Sequence, residues 1–227
     1  MTRQQPPCSR LLLALTLSCV PWLTGCDSEE QVVQFQVRTV QWAAPSATAS
    51  DVRVVLEEQR LNNGVLNAFY TEIEEATTDE SGLVELQTVR SNVLSIRIRA
   101  EKEGCFTEIV ELNPESLTSG DTPNDVEVVV MPQCFVQAEI DNTASPCPGS
   151  SATYKWTPRN LDGAVSEVRW TCDTDWQGID DGEVIYEGCL ISGGTWLLHR
   201  RYWACADSTL IDSVWCPEGG TVELVLD

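Results

Sequence analysis

Thr77-Thr78-Asp79-Glu80-Ser81-Gly82-Leu83-Val84-Glu85-Leu86 is the stretch that decides the fold. An Asp three residues before a Gly marks a tight turn, because the Asp side chain bonds its own downstream backbone and Gly accepts a positive φ. Behind the turn a strand opens, apolar and polar residues alternating with the period of a half-buried sheet. The same period of two recurs on either side. Val33, Phe35 and Val37 alternate with Gln34, Gln36 and Arg38; Val52, Val54 and Leu56 follow; Ile96 and Ile98 alternate with Arg97 and Arg99; Val126, Val128 and Val130 close the series. Turn signals at Asn62-Asn63-Gly64, Glu103-Gly104 and Asn113-Pro114 separate them at short intervals, which predicts a β-sandwich or barrel. Glu72, Glu74 and Glu75 would suit a helix over residues 67–76, but Phe69, Tyr70, Thr71 and Ile73 favour a strand running into a loop.

The Thr-Asp-x-x-Gly turn, the Asn-Gly turn before it and Leu94-Ser95-Ile96-Arg97-Ile98-Arg99-Ala100-Glu101-Lys102-Glu103-Gly104 after it resemble the carboxypeptidase regulatory-like, or transthyretin-like, β-sandwich. The likeness covers roughly residues 31–134. It implies a spacer or adhesion module and no peptidase activity, since nothing corresponds to the His and Glu zinc set of the peptidase itself.

Beyond residue 134 the composition shifts. Six of the eight Trp (Trp156, Trp170, Trp176, Trp196, Trp203, Trp215) and five Cys fall in residues 135–227. Strands are expected at Val136 to Ile140, Ala152 to Trp156, Glu167 to Cys172, Glu183 to Cys189, Thr195 to Cys205, Ser213 to Cys216 and Thr221 to Leu226. The last two flank Pro217-Glu218-Gly219-Gly220, a hairpin signal. The fold class is therefore all-β: two antiparallel sandwiches, the first transthyretin-like over residues 32–134, the second loosely immunoglobulin-like and disulfide-stapled over residues 135–227, joined at a short junction.

The N-terminus is an address. Arg3 and Arg10 precede an apolar run, Leu11 to Leu23, too short to span a membrane. It ends in Leu23-Thr24-Gly25-Cys26, which resembles the lipobox of bacterial lipoproteins and implies cleavage of residues 1–25 and acylation of Cys26. Residues 26–31 then form an acidic tether, and the partner is a membrane of the cell envelope, reached through a lipid anchor.

Export favours disulfides over free thiols. Facing residues of an antiparallel hairpin share a constant index sum, so each pair predicts its own turn. Cys105 and Cys134 centre on Ser119-Gly120, Cys172 and Cys189 on Asp180-Asp181, and Cys205 and Cys216 enclose Ala206-Asp207-Ser208, leaving Cys147 over; Cys147 with Cys172 or Cys134 stays open. No CxxC occurs, and one His is too few for a structural zinc site.

The charge of −21, with 14 Lys and Arg against 35 Asp and Glu, excludes nucleic acid as a partner. His199 stands beside Arg200 and Arg201 with no nucleophile signature near it, so no enzyme is expected. Asp173, Asp175, Asp180 and Asp181 begin like a calcium loop. Gln177 and Val184 break the ligand pattern, and a solvated hairpin tip is the simpler reading. Trp176, on that loop, is the best candidate for an exposed aromatic; Trp170 and Trp196 fall in register with core positions. Two function classes follow: a lipid-anchored, non-enzymatic display, adhesion or assembly module with a protein partner, or a binder of calcium or of glycan stacked on exposed Trp.

Overall fold

Strict alternation becomes strands. A computed structural model describes residues 31–62, 65–66, 68–90, 93–159 and 168–226. The leader, Cys26, the tether up to Glu30, Asn63-Gly64 and Glu167 lie outside the described residues. The first sandwich comprises β1 (Val32–Gln41), β2 (Arg53–Asn62), β3 (Val65–Leu66), β4 (Thr71–Thr77), β5 (Leu83–Val89), β6 (Val93–Glu101), β7 (Glu108–Leu112) and β8 (Asn124–Val130). β1 lies between antiparallel β5 and parallel β8; the facing sheet runs β4-β2-β6-β7, with β3 short against β2. Val33, Phe35 and Val37 of β1 meet Val54 and Leu56 of β2, Ile96 and Ile98 of β6 and Val126 and Val128 of β8 in one core.

The deciding turn works as its sequence implies. Asp79 Oδ1 accepts from the Ser81 N–H (2.8 Å), the Ser81 hydroxyl (2.6 Å) and the Leu83 N–H (3.0 Å). The Ser81 hydroxyl first, then the Leu83 amide, holds this carboxyl below its ordinary range. Gly82 adopts φ 70, and a Cβ there would meet Thr39 O at 2.7 Å and Thr48 Cβ at 2.9 Å. Gly82→Ala is therefore expected to cost about 2 kcal/mol, combining left-handed backbone strain with overpacking against β1. Urea unfolding measures it; a cost below about 0.5 kcal/mol would mean that the turn is not bound to β1 as described.

The second sandwich comprises β9 (Gln133–Asp141), β10 (Ala152–Arg159), β11 (Gln177–Ile179), β12 (Val184–Ser192), β13 (Thr195–Trp203), β14 (Ser208–Cys216) and β15 (Thr221–Leu226). β9 lies between antiparallel β12 and parallel β15, facing a sheet ordered β11-β10-β13-β14. Strand for strand this repeats the first sandwich without β3. Lettered A to G in chain order, both pair sheets DAG and CBEF, in place of the ABED and CFG of an immunoglobulin domain. The likeness to immunoglobulins thus gives way to a second copy of the first topology, each copy with one parallel pair. Val136, Ala138, Ile140, Tyr154, Trp156, Ile191 and Leu197 form its core. Glu187 of β12 reaches across the sheets to accept from the Tyr154 hydroxyl (2.6 Å) and the Trp156 indole (2.7 Å).

Three local expectations are corrected. The segment expected as a strand up to Cys172 makes a single bridge, Trp170 to Ile191, and the edge strand is β11 instead. Pro217-Glu218-Gly219-Gly220 is no hairpin: β14 pairs β13, whereas the Gly219 N–H bonds Gln133 O (2.7 Å) and Gly220 O accepts from the Phe135 N–H (2.9 Å), so β9 captures the chain into the other sheet. The cysteines also pair differently. Cys172 and Cys189 are bonded, two residues on from the Trp170–Ile191 bridge, but Cys205 bonds Cys147 while Cys105, Cys134 and Cys216 remain thiols. In the β13–β14 hairpin Cys216 stands opposite Thr195, and Cys205 sits at the far turn. Cys105 faces Pro132, two residues short of Cys134, because β7 and β8 belong to opposite sheets.

The junction is short and bonded on several sides. Met131 O accepts from the Phe106 N–H (2.9 Å), Pro132 O from the Gly193 N–H (2.8 Å), and Gly104 O from the Gln133 N–H (2.7 Å). Arg169 of the second sandwich pairs with Glu108 of the first at 2.7 Å and donates to Thr107 O.

Candidate functional site

Strand parity sorts the sheet β11-β10-β13-β14 into two faces. Tyr154 and Trp156 of β10 and Leu197, His199, Arg201 and Trp203 of β13 are buried. Their neighbours Lys155, Thr157 and Arg159, and Trp196, Arg200 and Tyr202, therefore lie on the opposite face, where Leu198 is also buried. The register places Lys155 directly opposite Arg200, and Arg200 opposite Ile211 of β14. Four residues along, Arg159 stands opposite Trp196, and Trp196 opposite Trp215, whose rings meet edge to face at 5.6 Å. The Lys155 ammonium lies 4.9 Å from the centroid of Trp176, which is 49% exposed. The two rows are about 13 Å apart at the strand rise.

Among the described residues the charges on this face are uncompensated. Elsewhere the cations are engaged: Arg38, Arg53, Arg60, Arg97, Arg99 and Arg169 pair with carboxylates, and Arg90, Lys102 and Arg201 donate to backbone carbonyls. Among the described residues Lys155, Arg159 and Arg200 have neither kind of partner, and Nε of Arg200 is buried without an acceptor. Like charges directly opposite in a sheet repel. An anionic group between Lys155 and Arg200 would remove that penalty and satisfy the guanidinium, while the flanking indoles offer faces for stacking.

The acidic candidates are arranged otherwise. Asp173 accepts from the Asp175 N–H (2.9 Å) and the Gln177 amide (2.6 Å), whereas Asp180 accepts from the Ser151 hydroxyl (2.7 Å) and Asp181 from the Gly149 N–H (2.6 Å). The strand β11 intervenes, so the four carboxylates do not converge, and among the described residues no three His, Cys, Asp or Glu side chains are grouped to hold a metal ion. His199 is buried against Trp156 (4.8 Å between centroids) and Tyr154 (5.8 Å), with neither ring nitrogen hydrogen-bonded among the described residues. Burial, then Arg201, lowers its pKa to about 4.

Trp176 is exposed where the sequence placed an exposed aromatic. Trp170 and Trp196 depart from their expected core positions: Trp196 lies on the outer face of β13 against Trp215, and Trp170 is 45% exposed because its segment forms one bridge at a sheet margin rather than a strand. Lys155, Arg159 and Arg200 were not singled out by sequence. Their parity was visible, but only the β10–β13 register joins them.

No protein-family model matches the chain, and no curated protein matches its sequence. Solved structures do show likenesses. The Bacillus anthracis TIE protein has a TM-score of 0.34 at 9% identity, over 87% of this chain and 34% of that one. A streptococcal ancillary pilin has 0.35 at 11%, over 87% and 62%. The shaft pilin SpaA from Lactobacillus rhamnosus GG has 0.34 at 9%, over 86% and 98%. The chain thus spans about a third of the first and under two thirds of the second, and at these TM-scores the likenesses carry no argument about function.

Proposed function

We propose that the protein is a non-enzymatic adhesion module of the cell envelope, tethered through acylated Cys26, whose outer β10-β11-β13-β14 face binds an acidic polysaccharide. The cross-strand pair Lys155 and Arg200, without an acidic partner among the described residues of a chain of charge −21, carries this reading. The indole of Trp176 beside Lys155 supports sugar stacking over a purely ionic contact. The bonded junction between the sandwiches suits display, since it limits the swing of the binding face relative to the anchored end.

The test is binding of polygalacturonate, a uronic acid polymer, with neutral dextran as control. The wild-type chain binds the acidic polymer, salt weakens binding, and Lys155→Ala with Arg200→Ala weakens it at least about tenfold, as expected for lost charge-assisted hydrogen bonds. Equal binding by wild type and variant, or by both polymers, would overturn the reading.

A further inference from the structure

Cys134 and Cys216 are two thiols that the fold has brought together from opposite ends of the second sandwich. Cys134 is the second residue of β9 and Cys216 the last of β14; both are fully buried in the same core. The turn after Cys216 sets their positions. The Gly219 N–H bonds Gln133 O at 2.7 Å and the Phe135 N–H bonds Gly220 O at 2.9 Å, bracketing Cys134 on its two chain neighbours. The chain leaving β14 is thereby folded back over Cys134, and both thiols lie in the one apolar cluster of the second sandwich. Nothing in the chemistry of the core requires paired thiols there. Two valines would fill the space without a polar hydrogen.

We propose that Cys134 and Cys216 are joined by a third disulfide in the exported protein, which closes the entry of the second sandwich onto the strand that precedes its exit. Residues 27–227 then hold three bridges, with Cys105 as the remaining thiol. The oxidant is a protein disulfide donor of the dithiol–disulfide oxidoreductase class. One cysteine thiolate attacks the donor disulfide and expels one donor thiolate; the second cysteine thiolate attacks the resulting mixed disulfide and expels the other. Two electrons pass from the cysteines to the donor, two protons are released from the cysteine thiols, and two protons complete the donor dithiol.

The order of events follows from burial. Burial pushes both thiols up, Cys216 to about 12, so the folded, reduced protein offers almost no thiolate for exchange. The bond forms before β14 and β15 close on β9, and once formed it is shielded. The Cys147–Cys205 bond, with Cys205 exposed at the β13–β14 turn, is open to reductant.

Mapping of the full chain recovered from an oxidising envelope compartment tests this. Thiols are alkylated with N-ethylmaleimide in denaturant, and the chain is cleaved at Asp and Glu without reduction, which leaves Cys134 and Cys216 on separate peptides. The expected result is one linked pair carrying Cys134 and Cys216, with the alkyl group on Cys105. In Cys134→Val, Cys216 gains the alkyl group. Alkylation of both Cys134 and Cys216 in the wild type, or a link from either to Cys105, overturns the proposal. Both readouts are taken on denatured protein, so neither depends on the variant's stability, and neither involves the polysaccharide.

Discussion

Lowering the pH from 7 to 4 is expected to remove about 3 kcal/mol of unfolding free energy through His199 alone. Its ring is buried between Trp156 and Tyr154, and burial with the nearby Arg201 charge lowers its pKa from 6.5 to about 4. Above pH 6.5 both the folded and the unfolded chain hold the imidazole neutral, and the group contributes no pH dependence. Between 6.5 and 4 the unfolded chain binds a proton that the folded chain refuses, so stability falls as pH falls; below 4 both are protonated and the loss is complete. The carboxyls of Asp79, Glu101 and Asp141, held below their ordinary range by hydrogen bonds from Ser81, Arg53 and Thr143, act in a lower window. Their contributions are lost only as pH falls below the unfolded values near 4, so the two effects separate on the pH axis.

His199→Leu, of similar volume, isolates the group. Urea unfolding of the wild type should lose stability steeply from pH 6.5 to 4, and the variant should lose little over that range. At pH 7 the variant should match the wild type or exceed it, because both ring nitrogens lack hydrogen-bond partners among the described residues and an apolar replacement leaves no polar atom unsatisfied. Parallel pH profiles for the two proteins would show that His199 is solvated and that its placement between the sheets is mistaken.

The parts of this molecule that could be read from sequence are those in which neighbours along the chain decide the outcome. Val33, Phe35 and Val37 alternate within one strand, and Asp79 bonds Ser81 and Leu83 within one turn, so local pattern suffices. What stayed hidden depends on which strand lies beside which. That Pro217 to Gly220 changes sheets instead of turning a hairpin is decided by bonds to Gln133 and Phe135, more than 80 residues earlier. The same distance hid the approach of Cys134 to Cys216. The index-sum rule found Cys172 opposite Cys189 because that segment meets β12 in antiparallel sense; it failed for Cys105 and Cys134, whose flanking strands sit in different sheets. The repeated topology was invisible because the two sandwiches reach the same strand order with different core residues, aliphatic apart from Phe35 in the first and with Tyr154, Trp156 and Trp203 in the second. The cationic face shares this cause: Lys155 and Arg200 belong to distant strands, and their meeting is a property of register.

Glu57→Gln is expected to destabilise the first sandwich by about 3 kcal/mol, whereas Glu127→Gln should cost no more than about 0.5 kcal/mol. Both carboxylates pair with arginine, and the difference lies in water. Glu57 is 5% exposed, at a register shift of β2, where Oε2 accepts from Arg97 Nε at 2.6 Å and Oε1 from Arg99 Nε at 3.0 Å. Arg97 stacks at 3.8 Å over Tyr70, and Arg99 bonds onward to Glu72 (2.6 Å) and to Glu101, which also holds Arg53 at 2.7 Å. Glu127 meets Arg38 at 4.0 Å with both side chains about half exposed. Neutralising Glu57 leaves two guanidinium groups largely removed from water and facing each other without a shared anion, and a Gln of the same shape cannot replace the charge. Neutralising Glu127 returns Arg38 to solvent that already surrounds it. Urea midpoints for the two variants decide the matter. Equal and small losses would mean that the Arg97–Glu57–Arg99 ladder is exchanged freely for water, and the rigidity of the first sandwich would then rest on its apolar core alone.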